Sequence, residues 1–125
     1  LIWLVLTEGW CGDAAQTVPI MAKMAGESLN IELKLIFRDE NLDIMDEFLT
    51  DGGRSIPKLI VLNKETLEVL ENWGPRPVEA QELFWKAKNS PDFDYPEVQK
   101  ALQLWYAKDK TLSTQKELTA LVKAL

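Results

Sequence analysis

The chain has 125 residues, 46% of them hydrophobic, and a formal net charge of -6. That length suits one domain with a real core, and the acidic balance disfavours a nucleic-acid footprint, which needs a basic face. There is no histidine and only one cysteine, so an internal disulfide is impossible and a zinc site of ordinary nitrogen and sulfur ligands is disfavoured.

Leu1 to Thr7 is a nearly unbroken apolar run, as expected of a strand buried on both faces. It is too short to span a bilayer and lacks a basic flank, so no membrane segment is expected. The chain opens without methionine, and an upstream segment is expected to precede it. A turn over 8–12 leads into a helix marked by Ala14, Val18, Met21, Ala22 and Ala25, with Pro19 inside it and Gly26 or Asn30 as its stop. Ile31 to Phe37 reads as a second strand. Leu42, Met45, Phe48 and Leu49 fit the buried face of a short helix stopped by Asp51-Gly52-Gly53. Leu59 to Leu62 and Thr66 to Leu70 read as a hairpin around Asn63-Lys64-Glu65.

Trp73-Gly74-Pro75-Arg76-Pro77 breaks the chain before a helix carrying Ala80, Leu83, Phe84 and Ala87. Asn89-Ser90-Pro91-Asp92 is the best internal boundary. Two amphipathic helices follow, one with the stripe Val98, Ala101, Leu102 and Trp105, the other with Leu118, Leu121, Val122 and Leu125. Pro96 suits a first helical turn, and Thr114 with Glu117 reads as a capping box. Residues 1–96 carry 9 basic and 17 acidic groups and residues 97–125 carry 5 and 3, so a weakly basic tail follows an acidic body. The order βαβ, helix, hairpin, helices predicts an α/β fold with a mixed four-stranded sheet flanked by helices.

The chemistry concentrates at Trp10-Cys11-Gly12-Asp13-Ala14, where the first strand turns into a helix. C-x-x-C beside a βαβ pattern is a redox dithiol, but Ala14 holds the second position. Any thiol chemistry therefore runs on one sulfur. At a helix N-terminus Cys11 sees free N–H groups and the positive dipole end, which favour thiolate. The Asp13 carboxylate beside it disfavours thiolate, and the net sign is open from sequence. The rival reading is a half-buried, inert cysteine.

The element order and four motifs together resemble the thioredoxin superfamily: Trp10-Cys11-Gly12 after the first strand, Pro19 eight residues past the cysteine, Ser55-Ile56-Pro57 before the third strand, and Trp73-Gly74 after the hairpin. The chain is also similar to a bacterial group of thioredoxin-like proteins sharing W-C-G-D-A. The resemblance covers residues 1–88 as a thioredoxin-like core, lacking the extra strand and helix that thioredoxins place first. Residues 89–125 lie outside it, as a C-terminal helical extension expected to pack on the same domain.

The resemblance implies a cis bond at Ile56-Pro57, with the Ile56 backbone facing Cys11 and able to pair with an extended peptide or a glutathione-like tripeptide by strand addition. Thioredoxins also bury an aspartate at the position of Val5, so that acid–base helper is missing here. Trp10 reads as a shield for one side of the sulfur or as ordinary packing. Arg54 reads as a clamp for a substrate carboxylate, as an offset to Asp13, or as a solvated loop cation. Trp73 lines the same groove or belongs to the core.

Three functions follow. The first is a single-cysteine thiol–disulfide oxidoreductase in which Cys11 forms a mixed disulfide that an external thiol resolves. Its substrate-binding residues would be Trp10, Gly12, Asp13, Arg54, Ile56 and Pro57. The second is a non-catalytic binding module using the groove beside Pro57, and the third a redox sensor pairing Cys11 between chains. No cofactor or metal, a protein or small-thiol disulfide as partner, and a cytoplasmic location are expected. The oligomeric state is open.

Overall fold

The computed structural model describes all 125 residues. Four strands form one sheet: β1 (Ile2–Thr7), β2 (Glu32–Phe37), β3 (Lys58–Leu62) and β4 (Val69–Trp73), in the spatial order β2-β1-β3-β4. β1 runs parallel to β2 and antiparallel to β3, and β3 runs antiparallel to β4. Five helices complete the fold: α1 (Gly12–Gly26), α2 (Leu42–Met45), α3 (Val78–Lys88), α4 (Tyr95–Asp109) and α5 (Leu112–Lys123). A 3-10 turn at Arg38–Glu40 precedes α2. This is the expected mixed four-stranded sheet flanked by helices.

Alternation along the central strands divides the core. Trp3 and Val5 of β1 join Leu59 and Val61 of β3 against Met21 and Ala25 of α1 and Leu118 of α5. Leu6 and Ile60 face the other way, onto Met45, Ile56, Cys11 and Ala14. A third cluster locks α3 to α4 through Ala80, Val98 and Leu102. Val5 is fully buried in this apolar setting, so no carboxylate reaches Cys11 from β1. Leu118 lies in the same cluster as the two central strands, which ties α5 to the sheet.

Several expectations are corrected. The fourth strand is Val69–Trp73, not Thr66–Leu70. Asn63 Oδ1 accepts the N–H groups of Glu65 and Thr66, and Leu67 takes a left-handed φ of 62°, so the turn is longer than the apolar pattern suggested. α2 ends at Met45, and Leu49 is exposed rather than on a buried helical face. The buried stripe of α4 is Val98, Leu102 and Tyr106, spaced by four, while Ala101 is exposed. Leu125 is also exposed.

The capping box does not form. α5 starts at Leu112, and Asp109 accepts from both the N–H and the hydroxyl of Ser113. Thr114 is buried. Glu117 instead reaches across the fold, accepting from Trp73 Nε1 at 2.9 Å and from the Val78 N–H at 2.9 Å. The second bond supplies α3 with an N-terminal acceptor that its own N-cap, Pro77, cannot provide.

Candidate functional site at Cys11

Cys11 is the N-cap of α1. Its Sγ accepts from the Ala14 N–H at 3.4 Å, and its thiol donates to the Ile56 carbonyl oxygen at 3.4 Å. The Ile56–Pro57 peptide is cis, as is Gly74–Pro75. Gly74 has a φ of 120°, and a β-carbon there would collide with the Pro57 carbonyl oxygen. Only glycine lets the two proline loops approach this closely. Lys58, itself buried, fastens them by donating to the Gly74 carbonyl and to Thr50 Oγ1, both at 3.1 Å. Burial pulls its ammonium below the ordinary lysine range.

Cys11 is 9% exposed. Burial pushes its thiol up from the ordinary value, and the Asp13 carboxylate pushes the same way. The N–H groups of Ala14 and Asp13 and the Arg76 guanidinium pull it down without reversing the sign. Asp13 therefore acts in the direction read from sequence, but desolvation is the larger cause.

Asp13 is not a free neighbour of the sulfur. Its carboxylate is buried, 3.0 Å from Arg76 Nη2, and accepts the Tyr106 hydroxyl at 2.7 Å. Arg76 donates also to Gln81 Oε1 at 2.9 Å and stacks over Phe84 at 4.2 Å, while its Nε is buried without a partner. The low-dielectric setting raises the Tyr106 phenol far above its usual range, by burial first and by the Asp13 charge second. This cluster joins the first turn of α1, the loop after β4 and α4. Sequence reasoning missed Arg76 and Tyr106. An acid beside the cysteine demands a partner if buried, but nothing in the chain order names residues 63 and 93 positions away.

The remaining expected site residues are placed as follows. Gly12 lies under α4, where a β-carbon would sit 3.2 Å from Gln103 Nε2. Gln103 in turn accepts from Gln16 of α1 at 2.9 Å. Trp10 is 67% exposed, with the Arg38 guanidinium 5.1 Å from its ring, so it stands on the rim and is not packed over the sulfur. Arg54 does not offset Asp13. It pairs with Asp46 through Nε at 2.8 Å and Nη2 at 3.0 Å, in the open. That pairing holds the Asp46 carboxyl below the usual carboxylate range. Trp73 is buried and bonded to Glu117, away from the groove.

An open cleft of about 710 Å³ runs past the sulfur. Trp10, Cys11, Arg38, Arg54, Ile56 and Arg76 line it on one side and Tyr95, Gln99 and Gln103 of α4 on the other. A second cavity of about 390 Å³ reaches Cys11 from beneath, between Glu8, Val18, Pro19 and the exposed side chains of Leu35 and Phe37. The volumes suit a small molecule or a short peptide. The fold gathers no group of three or more metal-ligating side chains, and no helix is long and apolar enough to cross a membrane.

No curated protein matches the chain. Among solved structures, a protein of unknown function from Pseudomonas aeruginosa superposes with a TM-score of 0.71 at 22% identity, covering 98% of this chain and 65% of that one. An HIV epitope scaffold superposes with a TM-score of 0.66 at 22% identity, covering 99% of this chain and 66% of that one. At such identities these likenesses bear on the fold alone, and this chain spans about two thirds of either structure. A family model described as Thioredoxin matches residues 1–91, which take in Cys11, both proline loops and α3. With most of its length matched and the expected sheet order in place, the chain belongs to the thioredoxin family.

Proposed function

We propose that the chain is a single-cysteine thiol–disulfide oxidoreductase acting through Cys11. The observation that carries this reading is the seat of the sulfur, between the first N–H groups of α1 and the Ile56 carbonyl, at the wall of an open cleft. Oxyanions and thiolates are favoured at such a helix end. The Ile56 N–H makes no hydrogen bond within the chain, which leaves it free to pair with the backbone of a bound substrate.

The Cys11 thiolate attacks one sulfur of a substrate disulfide. A new S–S bond forms, the old one breaks, and its electron pair leaves on the departing sulfur, which takes up a proton. An external thiol then attacks the mixed disulfide and restores Cys11, because Ala14 cannot. The raised thiol keeps the thiolate fraction low at neutral pH, and the thiolate that does form is the more nucleophilic for its basicity. Asp13 serves as an internal counter-ion for Arg76. Cys11→Ser tests the reading: transfer of a small thiol from a mixed disulfide should vanish while the fold persists, and retained transfer would overturn it.

The second reading is a binding module in which the cysteine is inert. The buried, proton-holding state of Cys11 favours it. In that case Cys11→Ser captures a partner as well as the parent chain does.

A further inference from the structure

The chain has three arginines and eleven lysines. All three arginines, Arg38, Arg54 and Arg76, line the Cys11 cleft, and none of the lysines does. In a protein of net charge -6 this gathers every planar two-pronged cation around one sulfur. Lysine offers a point charge, whereas the guanidinium fork matches a carboxylate in two parallel hydrogen bonds.

The three are not equivalent. Arg76 is locked: its partner Asp13 is buried and held by Tyr106. Arg38 and Arg54 pair nearer the surface, with the Arg38 side chain itself 19% exposed. Arg54 and Asp46 are each about half exposed, and Asp39, the partner of Arg38, is 57% exposed. The one-point Arg38–Asp39 pair is of the weak, exchangeable surface kind, whereas Arg54 grips Asp46 through two hydrogen bonds. Arg38 is also oriented, with Nη1 donating to the Arg54 carbonyl at 3.1 Å and its guanidinium carbon 5.1 Å from the centre of the Trp10 ring. Arg54 leaves Nη1 unused, since Nε and Nη2 alone meet Asp46. The two side chains thus form an oriented, incompletely used docking site within the same cleft as the sulfur. Arg54 begins the segment that ends at cis Pro57, and Arg54, Ser55, Ile56 and Cys11 all line the same cleft.

We propose that the cleft takes a small disulfide whose halves carry carboxylates, docked by Arg38 and Arg54 while Cys11 attacks the nearer sulfur. This rests on the thiol-exchange reading and specifies its substrate class. The bond changes are those already given, and the released half leaves as a carboxylate-bearing thiol. The arginines also offset the repulsion that an acidic protein exerts on an anionic substrate.

The test compares dithiodipropionate with the neutral hydroxyethyl disulfide, following the Cys11 mixed disulfide by intact mass. Each rate constant is divided by that of free mercaptoethanol with the same disulfide, which removes intrinsic reactivity. The expected result is a preference of about tenfold for the dicarboxylate, the worth of one charge-assisted hydrogen bond. It should shrink with added salt and fall toward unity in Arg38→Gln/Arg54→Gln, with Arg54→Lys intermediate. Equal normalised rates, or a preference untouched by the double substitution, would overturn this inference and leave the exchange reading standing. No adduct with either disulfide overturns both.

Discussion

The buried cluster of Asp13, Arg76 and Tyr106 makes its energetic role measurable through Asp13→Ala. The substitution removes a carboxylate that lies 3.0 Å from Arg76 Nη2 and 2.7 Å from the Tyr106 hydroxyl, with side chains of Asp13 and Arg76 only 6% and 9% exposed. It leaves a guanidinium in the interior with Gln81 as its remaining hydrogen-bonded partner and Nε already unpaired. Breaking a buried pair from one side costs about 3–5 kcal/mol. The orphaned Tyr106 hydroxyl would add about 1–3 kcal/mol if counted alone. One carboxylate serves both groups and both can relax toward the cleft, so the costs overlap. Losing an acid from the first turn of α1 costs a few tenths of a kcal/mol, and alanine's better helix propensity returns about as much.

The expected loss is therefore about 4 kcal/mol, a large part of the stability of about 6–19 kcal/mol that 125 residues support. Urea unfolding followed by the fluorescence of the five tryptophans measures it. The diagnostic partner is Asp13→Ala/Arg76→Met, which removes the stranded charge. That double variant should be more stable than Asp13→Ala by more than about 1 kcal/mol, because much of the single-site loss is the unpaired cation and not the absent bond. A single-site loss below about 1 kcal/mol, or a double variant that loses the sum of both single changes, would refute this account of the cluster.

Three further outcomes follow from the same structure. Gly74→Ala should destabilise by several kcal/mol, about 3 at least, since its φ of 120° and the Pro57 carbonyl both exclude a β-carbon; a variant with unchanged urea midpoint would contradict the close approach of the two proline loops. Leu118→Ala should cost about 3–5 kcal/mol, because Leu118 is fully buried among the side chains of β1 and β3; a loss near zero would mean that α5 is not part of the core. Cys11 holds its proton more tightly when folded, so the unfolded chain loses it first as pH rises past about 9.0. Stability should then decline with pH from there upward, and more steeply in the parent than in Cys11→Ala. Parallel pH profiles would contradict the direction of that shift.

Much of the fold was legible because it rests on period and punctuation. The unbroken run of β1, the helical spacing from Ala14 to Ala25 and the Gly52-Gly53 break needed only local rules. Where local pattern failed, a distant partner had decided. Val69 to Trp73 pairs with β3 around a turn organised by the Asn63 side chain, so Thr66, Leu67 and Glu68 were lost to the strand. Glu117 abandoned a capping box three residues away for the Trp73 indole and the Val78 N–H, which have no other acceptor in the chain.

The site divided along the same line. Cys11, Ile56 and Pro57 meet at one place because the strand–helix turn and the loop before β3 converge at one end of the sheet. The wall built by Tyr95, Gln99 and Gln103 was not legible. α4 was readable as a helix, but its polar face carries no signal of what it covers. The concentration of arginine was visible as a scarcity in composition, and its meaning emerged only when three distant loops were brought together.

The central claim is that native Cys11 exchanges with disulfides from the cleft. Its most direct measurement is the rate of mixed-disulfide formation with hydroxyethyl disulfide, read by intact mass from neutral to alkaline pH on the folded protein. The account predicts a single adduct on Cys11 whose rate climbs with pH through and beyond about 9.0, the ordinary thiol value, because burial holds the proton on. A folded chain that forms no adduct at any pH, while the urea-unfolded chain labels readily, would contradict it and leave Cys11 as an inert cap on α1.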